Sequence, residues 1–404
     1  EERRLLEKSY DGFVRNGANL SEEDKATFRK LSMELSSLTL KFSQNHLKET
    51  NGYELVLHTE DELAGLPESA IEAAAHTAHE KGKEGCWVIT LQDPSYVPFM
   101  KYSDKREVRK TLYMAYNTQC CHDNEFNNLK IVEQLVNLRM ELAQLLGFKN
   151  YAEYVLKKTH GRTQRECVQA VEQPAGGLYT DCPSGSREIR ALARELEGED
   201  FELMPWDFSY YAEKLKNRKF SLDEEALRPY FELSRVKAGV FGLATRLYGI
   251  TFKENKEIPV YHPDVQAYEV FDRDGSFLAV LYTDFHPREG KRSGAWMTSY
   301  KEQWIDDNGC NSRPHVSVTM NFTKATKDKP ALLTFSEVNT FLHEFGHALH
   351  GMFANTRFQS MSGTNVYWDF VELHHKLWKI SPQKKNFSIH SPDIIRRENP
   401  FLPN

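Results

Sequence analysis

Phe28, Leu31, Leu35, Leu38 and Phe42 recur at intervals close to the helical period, behind a Ser21/Asp24 pair that resembles a capping box. The first fifty residues therefore predict helix. After a linker at Gly65 to Glu68, Trp87 to Leu91 predicts a short strand, and Arg106 to Tyr116 and Lys130 to Leu146 predict helices, the second stopped by Gly147. Further helical stretches are expected at Tyr151 to Lys158, Arg187 to Leu196, Trp206 to Lys216 and Asp223 to Leu247. Beyond these the pattern changes from helical spacing to alternation. Tyr268 to Phe271 and Phe277 to Tyr282 flank Asp274-Gly275, a hairpin signal, and His315 to Phe322 alternates again just ahead of a helix predicted over Ser336 to Met352. The expected class is mainly α with a small β-sheet beside that last helix. No internal repeat or low-complexity tract interrupts it.

The helix at Ser336 to Met352 contains His343-Glu344-Phe345-Gly346-His347. Two histidines four residues apart lie on one helical face. In sites of this H-E-x-x-H type, the glutamate after the first histidine projects toward the metal-held water and serves as its base. The pattern alone is only moderately specific, because two surface histidines on a helix match it by chance. The following stretch adds weight: Gly363-Thr364 breaks the chain, and Asp369-Phe370-Val371-Glu372 opens a second helical segment whose Glu372 supplies a third, carboxylate donor. Two histidines and one glutamate leave a fourth position open, which is the mark of a catalytic zinc site. Asp369, one turn before Glu372, has two readings: an acceptor for a liganding imidazole, or a favourable charge at a helix start.

Composition narrows the function classes. The 404 residues are 40% hydrophobic and 27% charged, enough to bury a sizeable core. A net charge of −6 argues against nucleic acid as a partner and offers no basic stripe for a membrane surface. No apolar run is long enough to span a bilayer. The chain starts Glu-Glu-Arg-Arg with no initiator Met, so a fragment is expected. Cys86, Cys120, Cys121, Cys167, Cys182 and Cys310 show no metal or disulfide spacing, which favours reduced thiols. The compartment expected is cytoplasmic, with the periplasm left open.

The run from Arg313 to Glu372 resembles the thimet-oligopeptidase family, and within it bacterial peptidyl-dipeptidases. The resemblance is carried by Asn321-Phe322-Thr323-Lys324, Pro330-Ala331-Leu332-Leu333, His343-Glu344-Phe345-Gly346-His347-Ala348-Leu349-His350 and Asp369-Phe370-Val371-Glu372. Glu197 to Asp207, Leu227 to Val236 and Lys291 to Tyr300 agree as well. The resemblance implies a multi-helical, two-lobed zincin-type metallopeptidase with a deep channel, acting on short peptides and binding one zinc ion per chain. His343, His347 and Glu372 match the zinc ligands and Glu344 the general base. Gly294-Ala295-Trp296-Met297 and Ser362-Gly363-Thr364 match segments near the substrate channel, although each also reads as a packing turn. Residues 1–260 would form the helical channel wall, 261–372 the sheet and catalytic core, and a monomer is expected. C-terminal dipeptide release is the mode implied, with endo-acting oligopeptidase cleavage as the alternative.

The match breaks off after Glu372. From Leu373 the chain reads Leu-His-His-Lys-Leu-Trp-Lys, and Pro382, Pro392, Pro400 and Pro403 interrupt any helix. Restoring one base after codon 373 yields Leu-Pro-Ser-Gln-Ile-Met-Glu, which resembles the family continuation. A shifted-frame tail over 373–404 is therefore expected, with His374 and His375 accidental. Cys167 to Tyr179, read in a neighbouring frame, likewise becomes an amphipathic helix. With both ends incomplete, the chain as written is expected to be poorly soluble and catalytically impaired. Two other classes stay open: a peptide-binding protein that keeps the metal without turnover, and a structural helical protein with a fortuitous motif.

Overall fold

Ser21 starts the long second helix as its spacing predicts: its hydroxyl oxygen accepts the Asp24 backbone N–H at 3.1 Å. In this computed structural model, residues 1–159, 185–221, 224–325 and 330–373 are described. The segments suspected of frame slips, 160–179 and 373–404, lie outside the described residues apart from Leu373. The chain divides into two compact units, Glu2–Leu222 and Asp223 onward.

The first unit is helical. It contains α1 (Glu2–Arg15), α2 (Glu22–Gly52), α3 (Glu68–Glu80), α4 (Asp93–Tyr102), α5 (Arg106–Asn117), α6 (Leu129–Leu145), α7 (Tyr151–Leu156), α8 (185–197) and α9 (Phe208–Phe220). Gly147, with φ near +84°, ends α6 where the sequence placed the stop. The strand expected at Trp87 is β2 (Trp87–Ile89), antiparallel to an unexpected partner, β1 (Leu55–Leu57). Helix α3 starts where the linker read at Gly65 to Glu68 ends, and α4 has no counterpart among the predicted elements. Leu57, Leu63, Ala74, Leu91, Phe99 and Leu112 gather them into one core.

The second unit holds the sheet. The helix expected over Asp223 to Leu247 is broken into α10 (Glu224–Leu227), a 3-10 turn at Arg228–Tyr230 and α11 (Leu233–Tyr248). Pro229 cannot continue α-helical hydrogen bonding, and the backbone on either side of Glu232 pairs instead with Ala331 and Leu333. The units thus divide near residue 222, ahead of the change of periodicity at 260, because α11 packs on the sheet.

That sheet has the order β3-β4-β5-β9-β6, from β3 (Thr251–Glu254), β4 (Gln266–Phe271), β5 (Phe277–Asp284), β6 (Trp296–Lys301) and β9 (His315–Thr319). The short pair β7 (Trp304–Ile305) and β8 (Asn311–Ser312) stands apart. β4 and β5 form the expected hairpin, with Gly275 at φ +81° in its turn. β9 runs parallel to β5 and antiparallel to β6. Being central, it is buried on both faces rather than on one. One face, through Ala279, Leu281, Val316, Val318 and Met320, packs on α12 (Phe335–Met352) and α11. A last short helix, α13 (Trp368–Val371), leads to Glu372.

Candidate metal centre

Helix α12 carries the histidine pair, and its start is fixed by a full capping box. Thr334 Oγ1 accepts the Glu337 N–H at 3.2 Å, while Glu337 Oε2 accepts the Thr334 N–H at 2.7 Å. Val338, Phe341, Phe345, Ala348 and Met352 fill the face turned to the sheet. Phe345 stands 5.7 Å from Phe241, and Phe341 stands 5.0 Å from Phe285, ring centre to ring centre. Two turns of apolar anchors therefore fix the rotation of the helix, and with it the direction of His343 and His347.

The donor atoms converge. His343 Nε2 and His347 Nε2 are 3.3 Å apart, and Glu372 Oε2 lies 3.6 Å from the first and 3.8 Å from the second. All three donor atoms lie within 4.8 Å of one another. Tetrahedral zinc with donors at about 2.0–2.1 Å has donor-to-donor edges of about 3.3–3.4 Å. The observed triangle fits such an ion with small adjustments, and its two-imidazole, one-carboxylate chemistry suits a divalent cation. Glu344 is buried beside this triangle, with Oε1 3.9 Å from His343 Nε2.

Glu372 reaches the histidines from a short helix at the end of a long loop. Two polar side chains that carried no signal in the sequence, Gln303 buried and Arg313 half-buried, hold that loop. Gln303, with no exposed surface, accepts the Thr356 N–H at 2.7 Å and donates to the Thr356 carbonyl at 2.9 Å. Arg313 donates from Nε to the Leu278 carbonyl at 2.6 Å, and from its two Nη atoms to Met352 at 2.7 Å and Ala354 at 3.0 Å. It thereby ties the C-terminal end of α12 to β5, where a cation also favours the helix dipole.

The remaining expected residues separate into two groups. Gly363, at φ +53°, backs onto α12: a Cβ there would stand 3.2 Å from Gly351 Cα, so the glycine permits close backbone approach. Thr364 follows it in the turn before α13, and Asp369 lies in the first turn of α13. Gly294 has its carbonyl held by Asn321 Nδ2 at 2.6 Å and precedes Ala295, which packs on the core. Trp296 opens β6 opposite Thr319. In that register Trp296 faces away from α12, because its neighbour Met297 is the residue packed on the core.

With this geometry in view, comparison with known proteins is decisive. A family model described as peptidase family M3 matches residues 99–377. The chain belongs to peptidase family M3. It is 37% identical over 380 residues to oligopeptidase A of Escherichia coli, covering 92% of this chain and 55% of that protein. It is 36% identical to dipeptidyl carboxypeptidase of Escherichia coli, covering 94% and 56%. A third relative, the chloroplastic and mitochondrial organellar oligopeptidase A of Arabidopsis thaliana, is 34% identical, covering 92% and 48%. The chain thus spans about half the length of these relatives. Among the described residues no helix is long and apolar enough to cross a membrane.

Proposed function

We propose that the chain carries the catalytic core of a zinc peptidase acting on short peptides, releasing C-terminal dipeptides, with internal cleavage as the alternative mode. The observation that carries this reading is the convergence of His343 Nε2, His347 Nε2 and Glu372 Oε2 beside the buried Glu344 carboxylate. One zinc ion per chain would be held by those three residues and, when bound, would supply Lewis acidity toward the scissile carbonyl. Glu344 takes a proton from the attacking water and returns it to the departing amine nitrogen. Its burial keeps competing water from the carboxylate, and its position directly after His343 keeps it within reach of the attacking oxygen.

Asp369 is assigned to orient a liganding imidazole from α13. Gly294, Ala295, Trp296, Gly363 and Thr364 are assigned to turns bordering the peptide channel, with Gly363 also serving the contact with Gly351. A monomer in the cytoplasm is the working state. The names of the two Escherichia coli relatives, one an oligopeptidase and one a dipeptidyl carboxypeptidase, are compatible with either cleavage mode.

The reading is of the full-length form, so the test pairs metal analysis with product analysis on two purified proteins: the chain as given, expected to be impaired, and a version with the frame restored after codon 373 and extended to the length of its relatives, on which the outcomes below are read. A peptide with a blocked N-terminus is expected to lose dipeptides stepwise from its C-terminal end; internal fragments instead select the oligopeptidase mode. Glu344→Gln should retain the metal and lose about a hundred- to ten-thousand-fold in rate, while His347→Ala should lose the metal. Undiminished hydrolysis by Glu344→Gln, or a parent protein that takes up no zinc, overturns the assignment.

A further inference from the structure

The sheet has a second face, turned away from α12. Strand register puts Asp284 of β5, Thr319 of β9 and Trp296 of β6 side by side in one row across it. Tyr282 occupies the same face one step along, 5.9 Å from Tyr300. Over this row lies a cavity of about 480 Å³, lined by Trp296, Tyr300 and Tyr261 together with Arg288 and residues 290–293. Tyr261 and Tyr300 meet edge to face at 6.0 Å, so two of the walls support each other.

The charges of the cavity do not cancel. Arg288, Lys291 and Arg292 line it against a single carboxylate, Asp284, leaving an excess of two positive charges. Asp284 is 1% exposed and already saturated. It accepts both Arg288 Nη atoms at 2.8 Å, Lys291 Nζ at 2.8 Å and the Tyr261 hydroxyl at 2.9 Å. Lys291 is spent as well, since it also donates to the backbone carbonyls of Asp284, His286 and Met320. Arg288 is not spent: among the described residues two of its five N–H groups go to Asp284, which leaves three. Arg292 stands exposed at the rim with no ion-pair partner among the described residues. Its own backbone is fixed, because Asn321 Nδ2 donates to the Arg292 carbonyl at 2.9 Å.

A surface arginine is ordinarily solvated and does nothing. Here one is mounted on an anchored loop, over a cavity with aromatic walls and a second guanidinium that still has donors to offer. Guanidinium groups match planar oxyanions in pairs, and aromatic walls favour a flat body attached to that oxyanion. The volume is in the range of small-molecule sites and far exceeds a bare inorganic ion. We propose that this cavity is an anion-binding site, separate from the metal centre, for a small molecule bearing a carboxylate or phosphate on a flat apolar body. Arg292 and Arg288 grip the oxyanion, while Trp296 and Tyr300 hold the body. The site lies apart from the metal donors, because Asp284, Thr319 and Trp296 are on the face of the sheet opposite α12; Trp296 is the one residue it shares with the proposed border of the peptide channel.

Calorimetric titration of the full chain with two probes tests it: N-acetyl-L-phenylalanine, a peptide-like carboxylate, and adenosine monophosphate, a phosphate on a flat base. Saturable one-to-one binding of at least one probe is expected, and whichever binds more tightly identifies the source of the oxyanion. Arg292→Ala should weaken that binding about tenfold or more, with an unchanged melting curve. Arg292→Lys should retain part of it, and Arg273→Ala, at an exposed hairpin arginine, should retain all of it. His343→Ala should also bind normally, which separates this site from the metal centre. The proposal is overturned if neither probe binds at millimolar concentration, if Arg292→Ala binds as tightly as the parent, or if binding disappears in His343→Ala.

Discussion

Replacing Asp284 by asparagine keeps the shape of the side chain and removes one negative charge from a nearly dry position. The carboxylate is 1% exposed and the Lys291 ammonium 2% exposed, 2.8 Å apart. Arg288, the other ionic partner, keeps some contact with solvent. The substitution therefore strands one buried ammonium, and turns an amide toward a group that only donates. Loss of one member of a buried pair costs about 3–5 kcal/mol. Proton linkage provides an independent figure. Burial alone would raise the Asp284 pKa, but Arg288, Lys291 and Tyr261 outweigh it and hold the carboxyl at about 2, against an ordinary 3.8. That depression corresponds to about 2 kcal/mol of stability. The mutational figure is larger because the asparagine variant also leaves Lys291 unneutralised. Since the folded-state pKa is lowered, the contribution is complete above the unfolded value near 3.8 and declines as pH falls through 2. Urea unfolding followed by fluorescence should give the loss at pH 7 and a narrowing gap between parent and variant below about pH 4. The double variant Asp284→Asn/Lys291→Met should lose less than the sum of the two single losses, by about 1–3 kcal/mol. A loss under about 1 kcal/mol, independent of pH, or strict additivity of the two changes, would refute this account of the cluster.

Three further outcomes follow from the same geometry. Thr334→Ala removes the capping hydroxyl of the helix that carries His343 and His347 and should lower stability by about 1 kcal/mol, read from the urea midpoint. A Cβ on Gly351 would meet Met297 Cε at 2.7 Å and Val316 Cγ1 at 3.0 Å. Gly351→Val should therefore cost about 1–3 kcal/mol, whereas Gly351→Ala should cost less because the end of Met297 can move; equal melting of all three proteins would contradict this packing. Gln303→Leu leaves the Thr356 N–H and carbonyl without their side-chain partner and loosens the loop that carries Glu372. Zinc affinity, measured by competition with a chromophoric chelator, should fall about ten- to a hundredfold, and an unchanged affinity would show that the loop is held by other contacts.

The elements that were legible in the sequence are those whose signal is local. The Ser21 cap, the Gly147 stop, the Asp274-Gly275 hairpin and the His343/His347 spacing each depend on a few neighbouring residues, and each is found where it was read. Thr334 and Glu337 were equally legible as a capping box, yet the helix start was placed at Ser336 instead. The break at Pro229 was missed because the apolar pattern runs on through it; what ends the helix is backbone pairing with Ala331 and Leu333, a hundred residues away. Strand β1 and helix α4 were missed for a related reason, since both are short and find their partners only through tertiary packing. At the candidate metal centre, residue types pointed to His343, His347 and Glu372, which the fold brings together, but nothing in the spacing between Gly351 and Glu372 reveals how the loop returns. That information resides in Gln303 and Arg313, whose roles appear only when their long-range hydrogen bonds are seen.

The sheet order has a consequence for how the chain is made. β9 is the last of the five strands to be synthesised, yet it occupies a position between β5 and β6. Until it arrives, each of those strands presents an open edge to the solvent, and such edges recruit other chains. The arriving strand must also close a parallel pairing, Val280 against His315, which requires a wide loop before any contact rewards it. The hazardous interval on the ribosome thus ends only when residues 315–319 have emerged and docked. Substitutions that weaken β9 should accordingly reduce soluble yield during synthesis more than they reduce the melting temperature of the protein that survives.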